Sequence, residues 1–91
     1  MEHEHKEQRA VALTYRSDVP APFVSAKGRG RLASRLRQLA AEYEIPIVND
    51  ESITESLYVL DIGDSIPEDL YQVVAELFAF VYRATGKRKG E

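Results

Sequence analysis

Gly28-Arg29-Gly30-Arg31-Leu32-Ala33 is the stretch whose residue types and spacing come nearest to a known chemistry. It fits G-x-G-x-x-A between an expected strand and an expected helix. Asp50 follows about 20 residues later, at the end of the next apolar segment. In a dinucleotide site such glycines let backbone amides approach a pyrophosphate, and the acid accepts from a ribose hydroxyl. Two features oppose that reading. The chain is 91 residues long, too short for a second mononucleotide half and a substrate domain. The same residues also serve as a glycine-rich strand-to-helix turn. A small nucleotide-binding protein using Gly28, Gly30 and Asp50 therefore stands as the alternative reading.

The other chemistry-bearing residues are weaker. His3 and His5 could chelate a metal, but no third ligand accompanies them, and a solvated tail explains them. Nucleophilic catalysis lacks a base: both histidines lie in that tail, no serine sits beside a suitable partner, and cysteine is absent. Neither catalytic residues nor a cofactor are expected. Lys27, Arg29, Arg31, Arg35 and Arg37 form a basic group without interleaved aromatics for base stacking. With a net charge of −3, nucleic acid is not an expected partner. Carboxylate pairs (Glu42 and Glu44, Glu68 and Asp69) fall in exposed helical contexts. The single asparagine, Asn49, reads as a strand-end turn residue.

The elements that must position these residues are legible from periodicity. Arg9–Tyr15 alternates as a strand, with Ala10 and Ala12 leaving open that both faces are covered. The loop 17–22 carries Pro20 and Pro22, which hold the chain extended. Phe23–Lys27 reads as a second strand that ends at Gly28. Leu32, Leu36, Leu39, Ala40 and Tyr43 share one face of a helix over Arg29–Glu44. Pro46 stops that helix, and Ile45–Val48 reads as a short buried strand. Asp50 or Ser52 can cap a helix running through Leu57, with Ile53 and Leu57 inward. Tyr58–Ile62 reads as a last strand.

The longest periodic segment is Ile66–Ala84. Leu70, Val74, Leu77 and Val81 form one stripe, and Tyr71, Phe78 and Tyr82 an adjoining one. Pro67 suits the first helical position, Ser65 and Glu68 have capping-box spacing, and Arg83 suits the last turn. Two stripes exceed what one contact face needs, so one is expected against the sheet and the other partly exposed. The expected fold class is α/β: a small four-stranded mixed sheet with helices packed around it, in the order β-β-α-β-α-β-α. One domain is expected over residues 9–85, with mobile tails over 1–8 and 86–91. A composition of 44% hydrophobic and 30% charged residues is ordinary for a globular protein. No apolar run approaches the ~20 residues needed to span a bilayer.

Read as an ordered series, several short segments resemble one family. Ala10-Val11-Ala12-Leu13, Ala21-Pro22, Ala26-Lys27-Gly28, Ile62-Gly63, Ile66-Pro67, Leu70-Tyr71 and Val74-Ala75-Glu76 look like the C-terminal cytoplasmic domain of FlhB/YscU-type proteins. These are the substrate-specificity-switch components of flagellar and virulence type III export. The similarity runs from about Ala10 to Tyr82 and implies a four-stranded sheet wrapped by helices. It also implies a non-enzymatic interaction module in the cytoplasm, recruited to the export gate at the inner face of the membrane. Its partners would be rod- or hook-type export substrates or export-gate membrane proteins.

Carried over by motif, the substrate-peptide patch would be Ala21, Pro22, Ala75 and Phe78. Two departures accompany the resemblance. Family members cut themselves at Asn-Pro-Thr-His just ahead of the first strand. Here His5, Lys6, Glu7 and Gln8 occupy those positions, and no Asn-Pro occurs. The transmembrane half has no counterpart either, which implies a free-standing version. The stretch from Tyr58 to Ile62 is also one residue shorter than in full-length members.

Overall fold

The structure, a computed structural model, describes residues 7–85. Expectations for His3, His5 and the two terminal tails concern residues outside that range, apart from Glu7 and Gln8. The elements are β1 (Arg9–Thr14), β2 (Phe23–Arg29), α1 (Arg31–Glu42), α2 (Glu51–Tyr58), a 3-10 turn (Glu68–Leu70) and α3 (Tyr71–Thr85). The class is α/β, as expected. Among the described residues the sheet has two strands rather than four.

β1 and β2 pair antiparallel, with Ala10 opposite Gly28 and Ala12 opposite Ala26. A bulge follows, so that Leu13 faces Val24. The pairing reaches back to Gln8, whose carbonyl accepts from the Gly30 N–H at 2.8 Å. β2 therefore runs through Gly28 instead of ending there. Gly28 is buried, and a Cβ at this position would lie 2.4 Å from Leu32 Cγ. The glycine lets α1 lie close over the strand.

The two missing strands have separate physical causes. After α1 the chain closes in a Schellman arrangement: Glu44 N–H donates to the Ala41 carbonyl at 3.2 Å, and Ile45 N–H to the Ala40 carbonyl at 2.7 Å. This directs Ile45–Val48 outward. Ile45 is 57% and Ile47 44% exposed, and among the described residues no strand pairs with the segment. A β-branched run is a strand only where a neighbour completes its ladder. Tyr58–Ile62 is pre-empted by α2, which Asp50 caps by accepting from the Ile53 N–H at 3.1 Å and which continues through Tyr58. Of the two expected caps, Asp50 and Ser52, Asp50 is the one used. The outer edge of β2 is covered instead by residues 63–66: Gly63 N–H donates to the Val24 carbonyl, Val24 N–H to that of Asp64, and Phe23 bridges Ser65.

Ser65 thus joins the sheet edge and does not cap the last helix. That helix begins one turn later than its periodicity suggests, through the 3-10 turn. Its two stripes differ in exposure as expected, although α3 lies mainly beside the 3-10 turn and not flat on the sheet. Val74 is buried and Leu70, Leu77 and Val81 are half-buried, while Tyr71, Phe78 and Tyr82 are exposed. Ala21, Leu57, Ile66 and Val74 form the buried cluster, with Val11, Leu13, Ile53 and Leu60 packed around it. No helix among the described residues is long and apolar enough to cross a membrane.

Glu44 occupies the left-handed position of the Schellman arrangement, with φ of 58°. Glycine is usual there because a Cβ costs about 1–2 kcal/mol in that conformation. Glu44→Gly should therefore stabilise the fold, by less than about 1 kcal/mol once the greater freedom of the unfolded chain is set against it. Urea denaturation reads the change directly. A midpoint that falls would contradict the assigned cap.

Candidate functional site

The loop between the strands is built to be stiff. Arg16 grips Asp18 with two bonds, Nε to Oδ1 at 2.9 Å and Nη2 to Oδ2 at 2.8 Å. This pair holds the Asp18 carboxyl below its ordinary pKa. Val19 N–H closes the turn onto the Arg16 carbonyl at 3.1 Å. The Arg16 guanidinium also lies 6.0 Å from the centre of the Phe23 ring, tying the turn to the start of β2. Pro20 and Pro22 then fix the backbone on either side of Ala21. Ala21 is only 4% exposed, and the Pro22 carbonyl accepts from the Ile66 N–H at 3.0 Å. The loop is thereby fastened to the segment that leads into α3.

Ala21 of the loop and Val74 of α3 belong to one buried cluster, together with Leu57 and Ile66. On α3, Ala75 follows Val74 in sequence, and Phe78 lies one turn further on, on the same side as Val74. Of the expected patch residues, Ala21 lies beneath the surface, Pro22 is half-buried, and Ala75 and Phe78 are exposed. Phe78 is 37% exposed. It also lines a groove along β1, with Leu77, Val81 and Tyr82, that does not include Ala21, Pro22 or Ala75. Further exposed aromatic area lies on Tyr15 and Phe80. Phe80 lies off both stripes of the last helix, so helical periodicity alone gave no cue to it.

The glycine-rich turn does not form a phosphate cradle. Gly28 is inside β2, which leaves Gly30 alone between strand and helix. The Gly30 N–H is already donated to Gln8, and its φ of 59° accounts for the glycine by backbone conformation. Asp50 is engaged as the α2 cap. The basic group is dispersed as well. Lys27 Nζ donates to the carbonyls of Tyr58 and Leu60, Arg29 faces Glu7 at 3.8 Å, and Arg37 donates to Asn49 at 3.0 Å. Among the described residues no cluster of histidine or acidic side chains has the makings of a metal site.

Comparison with known proteins gives the same direction throughout. FlhB of Bacillus subtilis, a flagellar biosynthetic protein, is 34% identical over 80 residues, covering 86% of this chain but 22% of its own length. The uncharacterised protein YlqH of the same organism is 39% identical over 77 residues, covering 84% of this chain and 83% of YlqH. The crystal structure of the cytoplasmic domain of FlhB from Shewanella putrefaciens superposes with a TM-score of 0.78 at 37% identity, covering 81% of this chain and 63% of that one. The chain thus spans about a fifth of full-length FlhB and most of YlqH. The family model for the FlhB HrpN YscU SpaS family matches residues 7–81. The chain belongs to that family.

Proposed function

We propose that the chain is a non-enzymatic docking module of flagellar or type III protein export, working in the cytoplasm at the export gate. It would receive a short apolar segment of a rod- or hook-type export substrate, or an export-gate membrane protein, on the surface around Pro22, Ala75 and Phe78, with Ala21 as its support. One observation supports the reading: Ala21 of the proline-braced loop and Val74 of α3 share one buried cluster, and Phe78, one turn along α3 from Val74, is exposed. The prolines are already ordered, so binding costs little further entropy there. Burying roughly 200–300 Å² of apolar surface there lies well below the ~1,200 Å² of stable complexes. Docking is accordingly weak and transient, as release of a cargo requires.

Pull-down on immobilised chain tests the proposal. Retention of a rod- or hook-type substrate or of a gate protein is expected; retention of neither would contradict it. Self-cleavage is not expected, because the chain has no Asn-Pro whose asparagine could cyclise onto its own carbonyl. Purified protein incubated at neutral pH should keep its intact mass, and a cut near residue 5 would refute this.

A further inference from the structure

The fold uses only part of the apolar row on α1. Leu32, Leu36, Leu39 and Tyr43 follow one another at spacings of four, three and four residues. That spacing keeps them in line along one flank of the helix, as in a coiled-coil seam. Ala33, on the neighbouring side, is the residue of α1 that the body of the molecule buries. Leu36 and Leu39 are half-buried, while Leu32 and Tyr43, at the two ends of the row, are more than half exposed. Tyr43 still follows the helix, since its N–H donates to the Leu39 carbonyl at 3.0 Å. Leu32, Leu39 and Tyr43 take no part in the groove along β1, so the row is a separate surface.

A second row runs beside the first, one residue earlier. Arg31, Arg35, Gln38 and Glu42 repeat the same spacing and are all exposed. Its charge is polarised. The first turn of α1 holds no acid and the last turn no base. Arg31 and Arg35 mark one end, Glu42 and Glu44 the other. Among the described residues the side chains of Arg31, Glu42 and Glu44 have no partner, and Arg35 has only Gln38 at 3.5 Å. This order opposes the helix dipole, which favours acids at the start of a helix and bases at its end. A broken local rule of this kind points to something outside the helix that offsets it.

An antiparallel copy of α1 supplies that offset. Turned end for end, a second α1 sets Leu32 on Tyr43, Leu36 on Leu39 and Arg35 on Glu42. The two dipoles then oppose each other, and each end meets charge of the opposite sign. A parallel copy would bring like charge to like. We infer that α1 is a self-association surface, on which two copies of the chain pair antiparallel about a two-fold axis between Leu36 and Leu39. The apolar row supplies the contact, and the charged row fixes its direction. α1 has 12 residues, about three turns. So short a contact falls below the ~1,200 Å² of stable complexes. The dimer is therefore weak and forms as concentration rises.

Sedimentation velocity of the full chain over a wide concentration series reads the association. The mean sedimentation coefficient should rise from that of a monomer toward that of a dimer. Tyr43→Glu places a charge at an exposed end of the apolar row. Glu42→Arg sets arginine against arginine. Each change acts twice in a symmetric dimer and should weaken association at least tenfold. Both positions are exposed, so the fold is retained. Adding Arg35→Glu to Glu42→Arg restores opposite charges and should recover most of the lost affinity.

Direction is read separately, because the chain has no cysteine of its own. Leu32→Cys chains are mixed with Tyr43→Cys chains and oxidised with copper phenanthroline. Cysteines bridge only where their Cα atoms come within about 7 Å. The mixed disulfide should exceed either like pair. Like pairs in equal or greater yield would overturn the inference. So would association that the Tyr43 and Glu42 variants leave unchanged, since another surface would then carry it. A coefficient that stays monomeric across the series would overturn it too, leaving the row to a helix of another protein.

Discussion

Lys27→Met should destabilise the fold by about 2–4 kcal/mol, a sizeable part of the 5–15 kcal/mol typical of a domain. Lys27 reaches from the middle of β2 to the far end of α2. Its ammonium donates to the carbonyls of Tyr58 at 2.9 Å and Leu60 at 2.6 Å, in a part-buried setting. The ammonium also sits 5.0 Å from the centre of the Tyr58 ring. Carbonyls at a helix end have no partner inside the helix, and a cation there also meets the negative end of the helix dipole. Methionine keeps all but the last atom of the side chain's length and loses every donor. Both carbonyls would be left to whatever water reaches them, and a buried acceptor without a partner costs about 1–3 kcal/mol. Urea denaturation measures the loss. A change below about 0.5 kcal/mol would show that the bonds are replaced at no cost and that Lys27 is not the clasp between β2 and α2.

Phe78→Asp should weaken binding of an early export substrate's apolar segment at least tenfold while the chain stays folded with a modestly lower unfolding midpoint. Phe78 is not part of the buried cluster of Ala21, Leu57, Ile66 and Val74, so removing its ring opens no internal cavity. Aromatic anchors at small interfaces commonly carry about 2 kcal/mol or more. An aspartate adds a charge that an apolar ligand would have to strip of water. Because Phe78 also lines the β1 groove, Ala75→Arg is the companion variant: Ala75 is exposed and takes no part in that groove. Equal loss in both variants assigns the binding to the loop-and-helix surface. Affinity unchanged in both would remove that surface from the account.

Much of this fold can be read from the residues. The alternation of Val11 and Leu13, the helical spacing of Leu36, Leu39 and Ala40, the Asp50 cap and the double stripe of the last helix each led to an element that is present. Local chemistry decided those cases. The failures arose where a neighbour decides. Ile45–Val48 has the composition of a strand and lacks a partner among the described residues. Tyr58–Ile62 has the same composition, but α2 runs on into it, and Lys27 holds its carbonyls from 31 and 33 positions away in sequence. No local pattern announces a clasp of that kind. Leu32 and Tyr43, expected inward on α1, are 53% and 71% exposed, while Ala33 is fully buried. A small residue under a closely packed helix outweighed larger ones at its edge.

The candidate patch was legible in part for the same reason. The prolines and the surplus apolar stripe announced a stiff loop and an exposed helix face. That Ala21 would lie under the surface and not on it depends on Leu57 and Ile66, which reach it from elsewhere in the chain. Sequence spacing could not show the covered outer edge of β2 either, since it follows from where residues 63–66 return.

Amide shift mapping of the nitrogen-15-labelled chain, titrated with the apolar N-terminal segment of a rod- or hook-type export substrate, tests the docking role most directly. Saturable shifts centred on Phe23, Ala75 and Phe78 are the expected result. A titration that moves no amide, or moves only those around Gly28 and Gly30, would contradict it.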